Sequence, residues 1–368
     1  MTLVPNLYQI ELCDPTGIQL IPNIDQYVSL NTMRAVNNVG TCTLVLSDQT
    51  PDQKAFMQTL ASWERFFIDG RIRVMVSTNG GPMTCADETV YFIRKTSRDL
   101  DASNHMSMTF EAEDTIGLLK RNTITNDATN AQATKASTYL DDMCKTVFTS
   151  MFGAGANCDW SSLITVAPNQ SLGYQSAMTF PGQTALSVMQ KCAQVSTTNG
   201  TYLAFDIYSD GQAFEYRTYT GQRGIDRRAS TGNALIIGPE FGNVLSCHYE
   251  DDHTAEGTYI IAGAQTSEDT VREGLSPFGK IVQLITTSGK DSNSQLADAQ
   301  AGLRAARSKR LFTAQMIQCE GSLYSVQYGY GDFVTAQFWG QAFDCHLDAV
   351  SRTIAAGKET ITCLLRSI

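Results

Sequence analysis

A chain of 368 residues is long enough for two or three domains, and its 42% hydrophobic content supplies real cores. Charged residues make up only 17%, much of the polarity comes from Thr, Ser, Asn and Gln, and the net charge is −10. The charge is spread: residues 1–120 carry 9 basic and 14 acidic groups, 121–240 carry 8 and 9, and 241–368 carry 10 and 14, so no basic patch marks the chain for nucleic acid.

In the first 120 residues, alternating runs at 7–13, 18–21 and 27–34 read as strands, with Asp14-Pro15-Thr16-Gly17 as a tight turn. Gly40 interrupts the chain before another alternating run, where it signals a bulge or a close backbone approach. Thr50-Pro51-Asp52-Gln53 is a capping box opening a helix to about Arg65. RIRVMVS, TVYFIRKTSR and HMSMTFEAED add three more strands. Six or seven short strands with one helix predict a small barrel or sandwich.

Residues 121–240 change character. A second capping box at Thr129-Asn130-Ala131-Gln132 predicts a helix running to about Phe152 and ended by Gly153-Ala154-Gly155, and a further helix spans Thr184 to Val195. TYLAFDIYS and AFEYRTYT pair across Asp210-Gly211 as a hairpin. From Asn243 the strands return. Ser292-Asn293-Ser294-Gln295 caps a helix whose cations Arg304, Arg307, Lys309 and Arg310 suit its C-terminal end. The last stretch, Tyr324 to Ile368, reads as three strands: Phe333–Phe338, Ala342–Val350 and Glu359–Arg366, with turns at Trp339-Gly340-Gln341 and Ala356-Gly357-Lys358. The fold class expected is therefore β-rich α+β: two small β-barrel domains, 1–120 and 241–368 (the second with one inserted helix), flanking an α+β insert at 121–240.

Motifs with chemistry are sparse. There is no GxSxG, HExxH, Walker A loop or complete GxGxxG. Cys247-His248 and Cys345-His346 resemble paired metal ligands, but neighbours on a strand face opposite ways, so each reads as a buried Cys beside an exposed His. Glu250-Asp251-Asp252-His253 reads as a solvated acidic loop after a strand. The ten cysteines form no CxxC and read as small buried hydrophobes of a reducing compartment. No catalytic, cofactor or metal residue is nominated. The N-terminus lacks a signal-peptide pattern and no run reaches the ~18–20 apolar residues of a spanning helix.

The order of these pieces resembles the hub proteins of bacteriophage tail tips and baseplates, in the Gp37-like tail protein family of siphophages. These are similar in turn to contractile-tail central hubs and type VI secretion spikes. Its marks are Val39-Gly40 before an alternating strand, Gly242-Asn243-Val244 opening the third block, and Gly331-Asp332-Phe333-Val334. Gly40, Asn243, Gly331 and Asp332 are thus structural turn and motif positions. The resemblance implies a non-enzymatic homotrimer, a ring of pseudo-sixfold character joining a sixfold tail tube to a threefold spike or fibre. Its implied partners are the tail tube or distal tail protein, the tape measure protein and a central spike or fibre protein. Its implied place is the virion tail tip, after synthesis in the host bacterial cytoplasm. As the chain stops after the closing strand, a spike or lysin module is expected on another protein. Two other readings fit the composition: a β-rich cell-envelope carbohydrate-binding or hydrolysing protein, and a sixfold distal tail adaptor.

Overall fold

The computed structural model describes residues 6–25, 27–62, 68–78, 80–124, 134–180, 182–232, 234–286 and 292–367. The first block contributes β1 (Asn6–Cys13), β2 (Gln19–Ile21), β3 (Tyr27–Ala35), β4 (Asn38–Ser47), α1 (Pro51–Ser62), β5 (Arg71–Thr78), β6 (Thr84–Cys85), β7 (Tyr91–Leu100) and β8 (Met106–Glu113). The insert holds β9 (Thr134–Tyr139), α2 (Leu140–Phe152), β10 (Ile164–Val166), β11 (Gln175–Thr179), α3 (Ala185–Thr198), β12 (Leu203–Ser209), β13 (Phe214–Thr220), β14 (Asp226–Arg227) and β15 (Ile236–Ile237). The third block adds β16 (Val244–Asp252), β17 (Tyr259–Ala262), β18 (Gln265–Glu268), α4 (Thr270–Glu273), β19 (Val282–Ile285), α5 (Ser292–Ala305), β20 (Lys309–Met316), β21 (Phe333–Phe338), β22 (Gln341–Ala355) and β23 (Lys358–Ser367).

Local signals translate directly. The Gln53 amide donates to Thr50 Oγ1 at 3.2 Å and the Thr50 amide to Gln53 Oε1 at 2.9 Å, the reciprocal capping box that starts α1. Thr184 caps α3 through the Ser187 amide at 3.2 Å. The turns joining β21, β22 and β23 place Trp339 and Gly340, then Ala356 and Gly357, at positive φ, the two-residue geometry that matches strand twist.

Other boundaries move. Gly40 lies inside β4, not before it. The helix expected from about residue 130 begins at Leu140, after strand β9, and the Thr129–Gln132 box lies outside the described residues. Only Arg304 occupies the last turn of α5; Lys309 and Arg310 already belong to β20. Glu250, Asp251 and Asp252 of the acidic run end β16 rather than forming a loop, His253 follows the strand, and Asp251 lies 3.2 Å from both Arg310 and His253.

The largest difference is one of closure. Both β regions belong to one 15-stranded sheet, ordered β16-β20-β23-β22-β3-β4-β8-β7-β5-β1-β2, with β6, β14, β15 and β21 alongside. Among the described residues this ladder is an open path and not two closed barrels. The join is β3 against β22, seven paired positions from Ala349↔Ala35 to Ala355↔Ser29. It makes β22 a 15-residue strand, five longer than the alternation to Val350 suggested at its C-terminal end. Three cores follow, each holding side chains from a neighbouring block: Ile354 in the first, Val90, Phe92, Ile116 and Leu119 in the insert's, Leu235 and Ile237 in the third. Burying each such side chain contributes about 1.5–3 kcal/mol, so the blocks are welded rather than strung on linkers.

Candidate functional site: the three-block seam and its cleft

Alternation places Arg34 of β3 and Arg352 of β22 on the inward phase of their strands, where an aliphatic residue would be ordinary. Both are fully buried. A buried guanidinium is tolerated only when paired, and Arg34 is paired twice. Its Nη1 bonds Asp114, and its Nη2 lies 2.7 Å from Asp206 Oδ1 on β12 of the insert. Arg223 takes the other Asp206 oxygen at 2.6 Å and reaches Glu88 at 3.0 Å. The Tyr330 ring lies 3.9 Å from the Arg223 guanidinium carbon and 5.3 Å from that of Arg34. Burial alone would push the Asp206 carboxyl up, but Arg34 and Arg223 outweigh it and hold it below the ordinary carboxylate value. For Asp114, with one guanidinium, burial wins and the carboxyl is raised.

A second layer sits beside the first. Arg352 lies 3.3 Å from Asp87 Oδ2, the Tyr324 hydroxyl donates to Asp87 Oδ1 at 2.5 Å, and Tyr8 bonds Glu359, which is 3.5 Å from Arg352 Nε. Asp87 and Glu88 both have positive φ (56° and 54°), a conformation costly for non-glycine residues and held here by these ionic contacts.

The motif positions serve this seam. A Cβ on Gly40 would come within 2.6 Å of the Asp114 carboxylate and 2.5 Å of the Met33 carbonyl, so only glycine leaves room for the pair behind it. Gly331 has φ +84°, and a Cβ there would lie 2.8 Å from Arg223 Cδ. Asp332 accepts from the Ile225 amide at 2.6 Å, the Gly329 amide at 2.9 Å and Arg227 Nε at 2.8 Å, tying the insert's exit to β21. Asn243 stands apart from these three. Its side chain bridges Gly238 N and Ile236 O at 3.1 and 2.8 Å, closing the turn before β16. Sequence reasoning missed Arg34, Asp206, Arg223 and Arg352. The signal available was a cation on the apolar phase of a strand.

Above the seam lies a cleft of about 740 Å³ lined from all three blocks, by Met83, Asp87 and Glu88, by Asp210, Arg223 and Ile225, and by Tyr324 and Val326 among others. Arg227 is engaged by Asp332 and Arg217 by Glu215 at 2.5 Å. The arrangement latches chain regions together: its buried carboxylates act as ion-pair partners. Among the described residues no group of three or more His, Cys, Asp or Glu is placed to hold a metal ion. Cys345 is buried as expected beside a histidine, but His346 is stacked on Tyr202 at 4.4 Å rather than exposed.

Comparison with solved structures places this architecture. The chain aligns with the tail protein from Neisseria meningitidis MC58 and with the 43 kDa tail protein of prophage MuSo2 from Shewanella oneidensis. Each alignment has a TM-score of 0.61 and 10% identity, over 98% of this chain and 96% of that one. The chain shares its fold with these two tail proteins. Prophage tail protein gp18 from Listeria monocytogenes EGD-e aligns at TM-score 0.54 and 11% identity, over 97% of this chain and 94% of that one. A chain of the Francisella PdpA-VgrG complex aligns at 0.53 and 10% identity, over 99% of this chain but 53% of that one. No family model and no curated sequence matches. No described helix is long and apolar enough to cross a membrane.

Proposed function

We propose that this chain is the structural hub of a phage or phage-like tail tip or baseplate. Three copies form a ring that joins the sixfold tail tube to a threefold spike or fibre complex. The observation that carries the reading is the near-complete overlay on two tail proteins, 98% of this chain on 96% of each of theirs, which spans the architecture rather than one module. Two β regions per chain, 1–120 and 241–368 about the insert at 121–240, give six tube-like units in three copies. Among the described residues the sheet ends at β16 and at β2, edges on which neighbours can pair. The role is non-catalytic, and the welded seam suits a part that transmits force. The tail tube or distal tail protein, the tape measure protein and a central spike or fibre protein are its partners at the virion tail tip. Within tail proteins, the siphophage Gp37-like hubs are the group it fits.

The test is the solution mass by light scattering behind a sizing column. A mass near three chains supports the hub. Six chains would favour a distal adaptor, and a monomer that binds glycans would replace this reading with an envelope-binding one.

A further inference from the structure

The cations that line the three-block cleft are already paired. Arg227 lies 2.8 Å from Asp332, Arg217 2.5 Å from Glu215, and Arg223 2.6 Å from the buried Asp206. Asp87 faces Arg352. Two lining carboxylates are left over. Glu88, its side chain 53% exposed, only shares Arg223 with Asp206. Asp210 accepts the Gln212 and Ala213 amides through one oxygen, which holds it below the ordinary carboxylate value. Among the described residues no cation is paired with it. Both charges act on one wall: the Tyr208 hydroxyl is raised by burial first, then by Glu88 and Asp210 against the pull of Arg217.

The cleft also holds a buried donor. The Arg223 side chain is 6% exposed, and among the described residues its Nε has no hydrogen-bond partner. Leaving such a donor unmade costs about 1–3 kcal/mol, so a ligand that brings an acceptor gains by seating there. At the mouth Met83, Ile225 and Val326 are exposed, one from each block. An occupant that meets all three features carries a cation, a neutral carbonyl and a short aliphatic stretch. A peptide segment with lysine or arginine beside aliphatic residues has all of them. Another copy of this chain is a poor source, because its net charge is −10. The lysine of its most exposed apolar segment, Lys280, is already held by Glu268 at 2.5 Å and Glu273 at 3.8 Å.

We propose that the three-block cleft binds a basic segment of a different protein. Its cationic side chains sit on Glu88 and Asp210, and a backbone carbonyl accepts from Arg223 Nε. Opposite charge at a rim selects the partner and speeds its encounter. The inference stands on the cleft alone and does not need the ring proposed above.

The test titrates the full-length chain into a labelled peptide of alanine, leucine and two lysines, read by fluorescence anisotropy. A peptide with glutamate in place of lysine is the control. The lysine peptide is expected to bind and the glutamate peptide is not. Glu88→Gln combined with Asp210→Asn is expected to weaken binding about tenfold. Circular dichroism verifies that this variant folds. Glu250→Gln combined with Asp252→Asn removes the same charge from β16, outside the cleft. That variant is expected to stay within about twofold of the natural chain, because salt screens distant charges. Cadaverine, a diamine without a carbonyl, is expected to compete about tenfold more weakly than unlabelled lysine peptide. A natural chain that ignores the lysine peptide, or takes the glutamate peptide equally, overturns the proposal. Equal weakening by the two double variants overturns it too, since the attraction would then be to overall charge. Equal competition by cadaverine overturns the assignment of a peptide ligand.

Discussion

Asp206 Oδ1 lies 2.7 Å from Arg34 Nη2, and neither side chain is reached by solvent. One bond thus ties the first β region to the insert, and Arg223 ties the same carboxylate to the cleft floor. Arg34→Met would leave Asp114 buried without its guanidinium partner, and the expected loss is about 3–5 kcal/mol. Urea midpoints check this against Lys95→Met, which removes an exposed pair with Glu111 and should shift stability by under about 1 kcal/mol. Equal shifts in the two variants would sink the idea that burial sets the value.

Gly40→Ala places a methyl group where Met33 and Asp114 already stand. Either the strand or the carboxylate must move, at a cost on the order of 2–3 kcal/mol. Thermal melting of the variant at unchanged secondary structure is the measurement. An unaltered melting temperature would show that the seam relaxes freely.

Burial first, then Arg228 and Arg366, pushes the His346 imidazole down from 6.5 to about 4. The folded chain therefore binds fewer protons than the unfolded one in that window. Stability from this group is present above about 6.5 and lost as pH falls through about 4, on the order of 3 kcal/mol in full. Asp348, pushed up to about 6 by burial against the pull of Arg366, acts the other way. Its folded carboxyl keeps a proton that the unfolded one releases, so its contribution is gained as pH falls from about 6 towards 4. The two partly cancel in the natural chain. His346→Phe keeps a ring stacked on Tyr202 and edge-on to Phe333 and removes one side of the balance. This variant should gain stability on acidification relative to the natural chain, as read from urea midpoints between about pH 4.5 and 6.5. Parallel pH profiles would contradict the assignment.

Seven of the ten cysteines are buried, and burial pushes the half-buried Cys85 thiol up to about 12 and raises that of Cys247. Because the thiolate is the reactive form, native labelling should start at Cys158, with Cys247 slower and the seven core thiols reacting only on denaturation. Mass mapping of a labelling time course decides it. Rapid modification of Cys144 or Cys192 would mean the insert core opens readily.

Short-range features were legible because their hydrogen-bond partners lie within a few residues. The Thr50–Gln53 box, the Thr184 cap, the Asp210-Gly211 hairpin and the paired turns of the closing meander depend on local backbone preference alone. The β-rich class followed from alternation in the same way, and seven of the ten cysteines are buried as expected while Cys85, Cys158 and Cys247 are half-buried. What alternation cannot supply is the partner. The pairing of β3 with β22 spans more than 300 residues and merges the two β regions into one open sheet. Whether the cations of 304–310 end a helix or begin a strand was likewise settled by which neighbour β20 found, namely β16 and β23. Arg34 and Arg352 read locally as polar interruptions of apolar strands. Only tertiary structure brings Asp114, Asp206 and Asp87 to them, because a charge can be buried only where the fold delivers its counter-charge.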